Sequence, residues 1–457
     1  SDGGAQPLAA YAENEVWWRA PLLGALELDE LEAFVALAVE TAPEDAEVLR
    51  AAAVVALAHG DRPRAARHLA ASLRARPLEP RTRLVRAETL LETEPDVALA
   101  TLAEPEVAEL PRSRRVLAMA RARLGLMATA LASLDARRAD LEADAALTRL
   151  YAQLLADAGE RALARTALEQ AAGRPGADAR LALERAALEL ADSRPTEAAR
   201  ALARAGEDLG TPPAWRARAL GRHARLVATA GDLASAARSQ AEALRWDPGE
   251  REALLASAEL ALLGGQLDSA AAQARALAPE ELGRDLEAST VAAAAHALAG
   301  QHTQAAEVVA AALTHAPGHV GLLALRGTVA WLRRDEPTLE SALGALAHAD
   351  PSALVDDDAE ARGSPIAFMQ LAGELNASAA RSQRWAEADT LAGVLWSAAR
   401  RPAEARKALA AALAAKAPTP VPQIFLGHDA LARGALDEAR RRAQEAQVFE
   451  PIPAGAV

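Results

Sequence analysis

Cysteine is absent from this 457-residue chain. Disulfide staples and thiolate metal sites are therefore excluded, and the redox compartment is left open. Aromatic residues are also scarce, at 3% of a chain whose hydrophobic content is 51%. Alanine supplies most of that apolar content. Alanine is the best helix former and fills little space, so helices built from it must approach closely. Strand signals are missing as well: no run of alternating Val, Ile, Thr or aromatic residues stands between turn residues. The composition predicts an all-α chain. No apolar run reaches the ~18–20 residues of a membrane span. Lysine occurs only at Lys407 and Lys416, against 48 arginines, a bias of the kind a GC-rich bacterial genome produces.

The net charge of −13 argues against nucleic acid as partner, because phosphate binding needs clustered cations. The charge is uneven. Residues 1–60 carry 11 acids against Arg19 and Arg50, a net of −9. Residues 61–86 carry eight Arg against Asp61 and Glu79, a net of +6, and residues 110–138 are also near +6. Each block is either a solvated face or an ionic partner site. Residue 1 is Ser, which points to a processed or engineered form. The lead "SDGGAQP" suits the stretch after a removed signal peptide, or after the lipid-bearing Cys of a bacterial lipoprotein.

A period of 34 or 35 residues organises most of the chain. Small residues in phase stand at Ala65, near Ala100, and at Ala130, Ala164, Ala198, Ala236, Ala270 and Ala305. The series continues through Leu339, Ala405 and Ala439, with one interval of 66 residues before Ala405. Each period is punctuated. Gly231-Asp232 predicts a tight turn followed by a capped helix, since Gly accepts positive φ and Asp accepts from the first turn. Pro248 stops that helix. The same punctuation recurs at Gly60-Asp61 with Pro77, Gly159 with Pro175, Gly300 with Pro317, Arg334-Asp335 with Pro351, and Gly434 with Pro451. Small residues recur where two helices must touch, at Ala224, Ala258, Gly327, Gly393 and Gly427. Larger spacers recur at Leu220, Leu254, Leu323, Leu69, Val227 and Val309. A helical pair of this length cannot bury its apolar side alone and needs neighbours above and below.

This pattern resembles the tetratricopeptide repeat family over about residues 46–451. The resemblance implies an α-solenoid, a right-handed superhelix of about 10–12 helix-turn-helix units, that binds peptides or proteins. The family's aromatic positions are mostly Leu, Val or Ala here. The expected organisation is a lead and capping helix at 1–45, repeats at 46–350, an acidic Gly-Pro break at 351–365, repeats at 366–451 and a tail at 452–457. The 66-residue interval is read as two periods, one of them degenerate, with a short, distorted first helix. Asp356, Asp357 and Asp358 lack the alternation and Gly of a calcium loop.

No Gly-rich phosphate loop, His-Glu-x-x-His or nucleophile elbow is present. His315 and His319 are separated by Pro317-Gly318 and do not share a helical face. The expectation is a non-enzyme with no cofactor and no metal. In the family the first helix of each unit lines the concave groove. Periodicity then places Arg218, Arg222 and Arg225 on one stripe, followed by Glu252, Leu255, Glu259, Leu262 and Leu263. Leu325, Thr328, Trp331 and Leu332 come next, then Ile424, Phe425 and His428, while Arg149 and Gln153 belong to an earlier unit. Two readings of the arginine stripe stand: a salt-bridged face paired with Glu252 and Glu259, or a site for a carboxylate-bearing segment. Trp331 and Phe425 are inter-repeat core or partner anchors. The family's two-carboxylate clamp of Asn and Lys is not matched, since the only Asn are Asn14 and Asn376. Glycan binding through Trp17, Trp18 and Trp331 is a weaker reading.

The functional expectation is a protein-interaction scaffold of a bacterial cell-envelope assembly, in secretion, pilus, polysaccharide-export or motility machinery. The protein or peptide partner sits in the groove (Arg149, Arg218, Arg222, Arg225, Glu252, Glu259, Trp331, Phe425, His428) or at its edge. The periplasm, with a lipid anchor upstream of Ser1, is the expected address. A cytoplasmic adaptor, or an accessory region of an enzyme, is the alternative.

Overall fold

The structure is a computed structural model that describes residues 25–110, 113–136, 145–172, 179–192, 194–208, 212–278, 283–351, 363–379 and 385–449. No strand occurs among them, and no helix is long and apolar enough to cross a membrane. The adjacent Trp17 and Trp18 and the acidic run Asp356–Asp358 lie outside the described residues.

The chain divides into two compact units, with the boundary between Ala201 and Leu202. The first holds α1 (Ala25–Thr41), α2 (Ala46–Ala58), α3 (Arg62–Ala75), α4 (Pro80–Leu90), α5 (Pro95–Leu102), α6 (Pro105–Ala108), α7 (Ser113–Arg123) and α8 (Met127–Asp135). It continues through α9 (Ala145–Asp157), α10 (Arg161–Ala172), α11 (Ala179–Ala191) and the start of α12 (Pro195–Glu207). The second begins inside α12 and holds α13 (Pro213–Thr229), α14 (Leu233–Trp246), α15 (Arg251–Leu263), α16 (Leu267–Leu277), α17 (Leu286–Leu298) and α18 (His302–His315). Then follow α19 (Val320–Arg333), α20 (Glu336–Ala347), α21 (Pro365–Ala379), α22 (Trp385–Ala398), α23 (Pro402–Ala414), α24 (Val421–Ala432) and α25 (Leu436–Ala446). Twenty of these helices pair into ten hairpins, and α11 and α12 follow one another in the same order. Within each unit, consecutive hairpins stack into an α-solenoid, and the period of 34 or 35 residues is present as hairpins.

The local causes are those written in the sequence. Gly231 turns with φ +92°, and the Asp232 carboxylate then accepts the Ser235 amide at 3.0 Å to cap α14. Asp45, Asp61, Asp285 and Asp335 cap their helices in the same way, satisfying donors that a helix cannot satisfy itself. Arg334 takes the left-handed turn (φ +59°) between α19 and α20, as Arg400 (φ +58°) does between α22 and α23, in place of the Gly used at Gly60, Gly159, Gly231 and Gly300. The in-phase small residues are the contacts between paired helices: Ala65, Ala130, Ala164, Ala198, Ala236, Ala270 and Ala305 are fully buried, as is Leu339. Near Ala100, the buried small residue is Ala98.

One element departs from the expected pattern. The 66-residue interval between Leu339 and Ala405 holds α21, which at 15 residues is longer than the short first helix expected there. Among the described residues it is followed by α22, against which it packs as closely as hairpin partners do and which is also the first helix of the next hairpin. The helix α21 packs on α13, α15, α17 and α19 as well as on α22. It therefore lies across the first helices of four consecutive hairpins.

Candidate functional site

The first helices of the second unit carry the arginine stripe, and the structure shows what the stripe meets. Arg218 donates to Glu250 at 3.0 Å and stacks over the Trp215 ring at 4.9 Å. Arg222 donates to Glu252 at 3.2 Å. Arg225 reaches furthest inward, with only 15% of its side chain exposed. It pairs with Glu252 at 2.8 Å, with Glu259 at 2.9 Å, and with Glu287 on the next first helix. Arg251 extends the network to Asp285 at 2.9 Å and Glu287 at 3.0 Å.

The electrostatics follow from enclosure. Burial alone would lower the Arg225 pKa, but the carboxylates of Glu259, Glu287 and Glu252 override it and hold it well above the usual range. Burial pushes Glu252 upward, yet Arg225 and Arg222 prevail and bring it down to about 2. Glu287 goes the other way, because burial outweighs the attraction of Arg225 and the neighbouring Glu252 adds to the rise. Arg218, Arg222, Arg225 and Arg251 meet five carboxylates, Glu250, Glu252, Glu259, Asp285 and Glu287, which leaves a surplus of one negative charge in a low-dielectric setting, where it is strongly felt.

That surplus faces the start of α21. The Ser364 hydroxyl donates to Glu259 at 2.6 Å. It also accepts the Ala367 amide at 3.2 Å, which makes Ser364 the cap of α21. The Ser364 amide donates to the Thr290 hydroxyl at 2.7 Å. Pro365 at the first helical position has no amide to leave unsatisfied. The helix N-terminus thus points its positive dipole end toward the glutamates. Beyond the cap, Ile366, Ala367, Phe368, Leu371, Ala372 and Leu375 are all fully buried. Phe368 fills the space over Gly321, where a Cβ would come within 2.5 Å of the ring. Further along, the Arg401 guanidinium donates to the Thr229 carbonyl at the end of α13, at 2.7 Å.

The predicted groove residues therefore divide. Arg225, Glu252 and Glu259 are not on an open groove: they form an enclosed network beneath α21. Of the two readings of the stripe, the pairing with Glu252 and Glu259 is the arrangement seen, but it is buried rather than solvated. Leu255, Leu262, Leu325 and Thr328 are buried too. Phe425 is core, at 4% exposure, since α24 packs it against the hairpins before it. Trp331 is half-buried against the same core, and His428 is half-buried on α24. Arg149, in the first unit, lies 3.8 Å from Glu184. His319 caps α19 through its ring nitrogen, 3.0 Å from the Leu322 amide. Among the described residues, no three His, Asp or Glu stand together as metal ligands.

Sequence reasoning missed Glu287, Ser364, Phe368 and Arg401. Glu287 stands one period after Glu252 and was within reach of the repeat phase. The Ser364-Pro365 pair is a helix-start signature. That this start lands on Glu259, 105 residues away, is a tertiary fact with no local signal.

One positional series contrasts the two units. It is the residue eleven places ahead of each in-phase small residue. In the second unit Glu259, Ala294, Thr328 and Val394 are buried, and Arg225 and His428 are half-buried. In the first unit Val54 is buried, Thr89 and Met119 are half-buried, and Gln153 and Ala187, on α9 and α11, are exposed.

No protein-family model and no curated protein matches the chain. Among solved structures it is similar to a tetratricopeptide repeat protein from Parabacteroides merdae, at 16% identity and a TM-score of 0.35, over 44% of this chain and 78% of that one. It is similar to yeast Tom70 at 14% identity and a TM-score of 0.35, over 99% and 93% of the two chains. Similarity to Pseudomonas aeruginosa pilF is at 17% identity and a TM-score of 0.27, over 55% and 96%.

Proposed function

We propose that this chain is a non-catalytic scaffold that holds a partner protein or peptide on the first-helix face formed by α9 and α11 in its first unit. The observation that carries the reading is the contrast between Gln153 and Ala187, which are exposed, and Glu259, Ala294 and Thr328, which are buried at the same repeat position. A stacked hairpin array offers a long, rigid face whose side chains are fixed by the helices behind them, which suits recognition of an extended partner. In the second unit the corresponding face is already covered by α21. In the first unit the face is lined by Gln153, Ala187 and the Arg149–Glu184 pair, a mixture of apolar and polar contacts appropriate to a protein surface.

The setting we propose is a multiprotein assembly of the bacterial cell envelope. The Arg-for-Lys bias and the use of such repeats in envelope machines support it; the second support is analogy of fold. Two measurements test the proposal. A tagged chain purified from its native cells retains a partner that Gln153→Glu with Ala187→Glu loses, while the far-UV spectrum stays helical; equal recovery by both would overturn the face assignment. Cell fractionation places the chain with the envelope; recovery in the cytosol would leave the scaffold and replace the address by that of a cytoplasmic adaptor.

A further inference from the structure

The loop between α3 and α4 reads Pro77-Leu78-Glu79, in the same phase of the repeat as Pro248-Gly249-Glu250 and Pro317-Gly318-His319. Gly249 and Gly318 neither take positive φ nor exclude a Cβ, so the turn itself does not choose between Gly and Leu. The Leu78 side chain is 72% exposed and adds little to the core. A single exposed leucine is ordinary; the surroundings set this one apart. The helix α3, which runs into the loop, carries Arg62, Arg64, Arg67, His68 and Arg74 and no acid. Helical spacing puts Arg67 and Arg74 on one exposed stripe with Pro63, Ala66 and Ala70, away from the buried Ala65 and Leu69. The acids beside the loop are matched: Glu47 is paired with Arg76 at 3.2 Å, and Glu79 lies 3.8 Å from Arg50. Arg64 is paired with Glu32. Arg62, Arg67, Arg74 and, at the start of α4, Arg81 are exposed and meet no carboxylate among the described residues. The helix α7 is acid-free too, but its Arg115 and Arg123 are held by Glu88 and Glu92. The local field reaches His68, whose pKa is lowered by burial and further by Arg64 and Arg67.

We propose that the exposed stripe of α3 and the Leu78 loop form a docking surface for an anionic lipid bilayer, with the arginines against the phosphate headgroups and Leu78 inserted between them. A cluster of roughly four to eight cations is attracted to anionic headgroups, and an apolar side chain supplies the second contribution that reversible docking needs. Two features favour a bilayer over an acidic protein. The surface is a helix side and a loop tip rather than a groove. Its apolar element is one side chain raised on that tip, which suits a soft medium better than a preformed pocket. The net charge of −13 does not oppose docking, because at physiological ionic strength exposed charges more than about 8 Å away are largely screened. This surface shares no residue with the partner face of α9 and α11, and the two readings stand separately.

The test uses the full chain with two kinds of vesicle, phosphatidylcholine alone and phosphatidylcholine with phosphatidylglycerol in equal parts. The chain is expected to float with the second and not with the first, and to be released by high salt. Arg67→Gln with Arg74→Gln is expected to weaken vesicle binding by about tenfold or more, with the melting temperature unchanged. Should that pair disturb the fold, Arg62→Gln with Arg81→Gln decides. The chain has no cysteine, so Leu78→Cys offers a single thiol to an environment-sensitive dye. Its emission is expected to shift to the blue on adding anionic vesicles, while the same dye at Leu233→Cys, a position 44% exposed on α14, is expected not to shift. No flotation with anionic vesicles, flotation without a shift at residue 78, or equal flotation by the parent and the arginine variants would overturn the proposal. So would capture of soluble polyglutamate by a chain that ignores vesicles, which would make the occupant an acidic protein. Gln153→Glu with Ala187→Glu is expected to float as the parent does, so this test and that of partner capture fail independently.

Discussion

Arg225 and Glu259 stand 2.9 Å apart on adjacent first helices, and the Glu259 side chain is only 1% exposed. The pair is the centre of the second unit's polar interior. Glu259 accepts from Arg225 on one side and from Ser364 on the other, so a single carboxylate joins the repeat stack to the helix laid across it. Removing Arg225 leaves Glu252, Glu259 and Glu287 together without their common cation. Arg225→Ala is expected to cost about 3–5 kcal/mol, the range for breaking one side of a buried ion pair. Arg225→Lys should recover little of it, since an ammonium cannot present the fork that reaches three carboxylates. Denaturant unfolding of the three proteins measures both; a loss under about 1 kcal/mol for Arg225→Ala would contradict a buried network.

Charge reversal at the outer arginines separates stability from partner capture. Periodicity alone presents Arg218→Glu with Arg222→Glu as a change confined to a binding face. The structure gives a different expectation. Arg218 is the partner of the enclosed Glu250, and Arg222 is a partner of Glu252, so the double change sets like charges against two buried carboxylates. A lower melting temperature is expected, and any lost capture is then secondary to it. An unchanged melting temperature with lost capture would restore the stripe as a binding face.

Much of the fold was legible because its causes are local. The hairpins, their Gly-Asp turns and their in-phase alanines follow from helix geometry and capping, and Ala65 and Ala305 are buried as their phase requires. The acidic pairing of the arginine stripe was legible too, because Glu252 and Glu259 stand one period further along. What the sequence left hidden is the covering helix. The sequence from Pro365 reads as one more amphipathic segment, and periodicity assigns it to a degenerate repeat. Its destination depends on Ser364 meeting Glu259 and on Phe368 meeting Gly321, contacts between residues with no fixed spacing. Periodicity says which side of a helix faces inward, and in the second unit that side meets the chain itself.

Two glycines of opposite sign probe the packing. A Cβ at Gly221 would lie 2.7 Å from the Ala253 amide nitrogen and 2.8 Å from the Glu252 carbonyl carbon, and backbone cannot yield as a side-chain tip can. Gly221→Ala should therefore destabilise by about 1–3 kcal/mol as overpacking. At Gly373 nothing lies within 4 Å of the added carbon, and the residue is exposed in mid-helix. There Gly373→Ala should stabilise by about 0.5–1 kcal/mol through helix propensity. Thermal melts of the two variants should move in opposite directions.

His223 gives the second unit a mild acid sensitivity. Burial lowers its pKa below 6.5, against weaker upward pulls from Asp232 and Glu207, and its Nδ1 lies 2.9 Å from the Ser239 hydroxyl. The folded state prefers the neutral ring, so the unfolded chain binds more protons once the pH drops below 6.5. Stability should therefore fall as the pH goes from 7 to 5.5. His223→Gln, which keeps a hydrogen-bonding side chain and cannot titrate, should flatten that part of the curve. A parallel slope in both proteins would assign the sensitivity elsewhere.

The buried glutamates should answer acid in opposite senses. Glu252 is held at about 2 against an ordinary 4.5, because its cations prevail over burial. Its contribution to stability is full above about 4.5 and is lost as the pH falls toward 2. Glu287 is raised above 4.5 because burial prevails over Arg225. The folded chain therefore binds its proton more readily than the unfolded chain, and acidification adds stability through it. Measured as differences, the stability of the parent over Glu287→Gln should grow as the pH is lowered from 7 toward 5, while that of the parent over Glu252→Gln should shrink between about 4.5 and 2. If both differences moved in the same direction, Glu252 and Glu287 would be titrating as equivalents, and the unequal hold of Arg225 and Arg222 on Glu252 would be wrong.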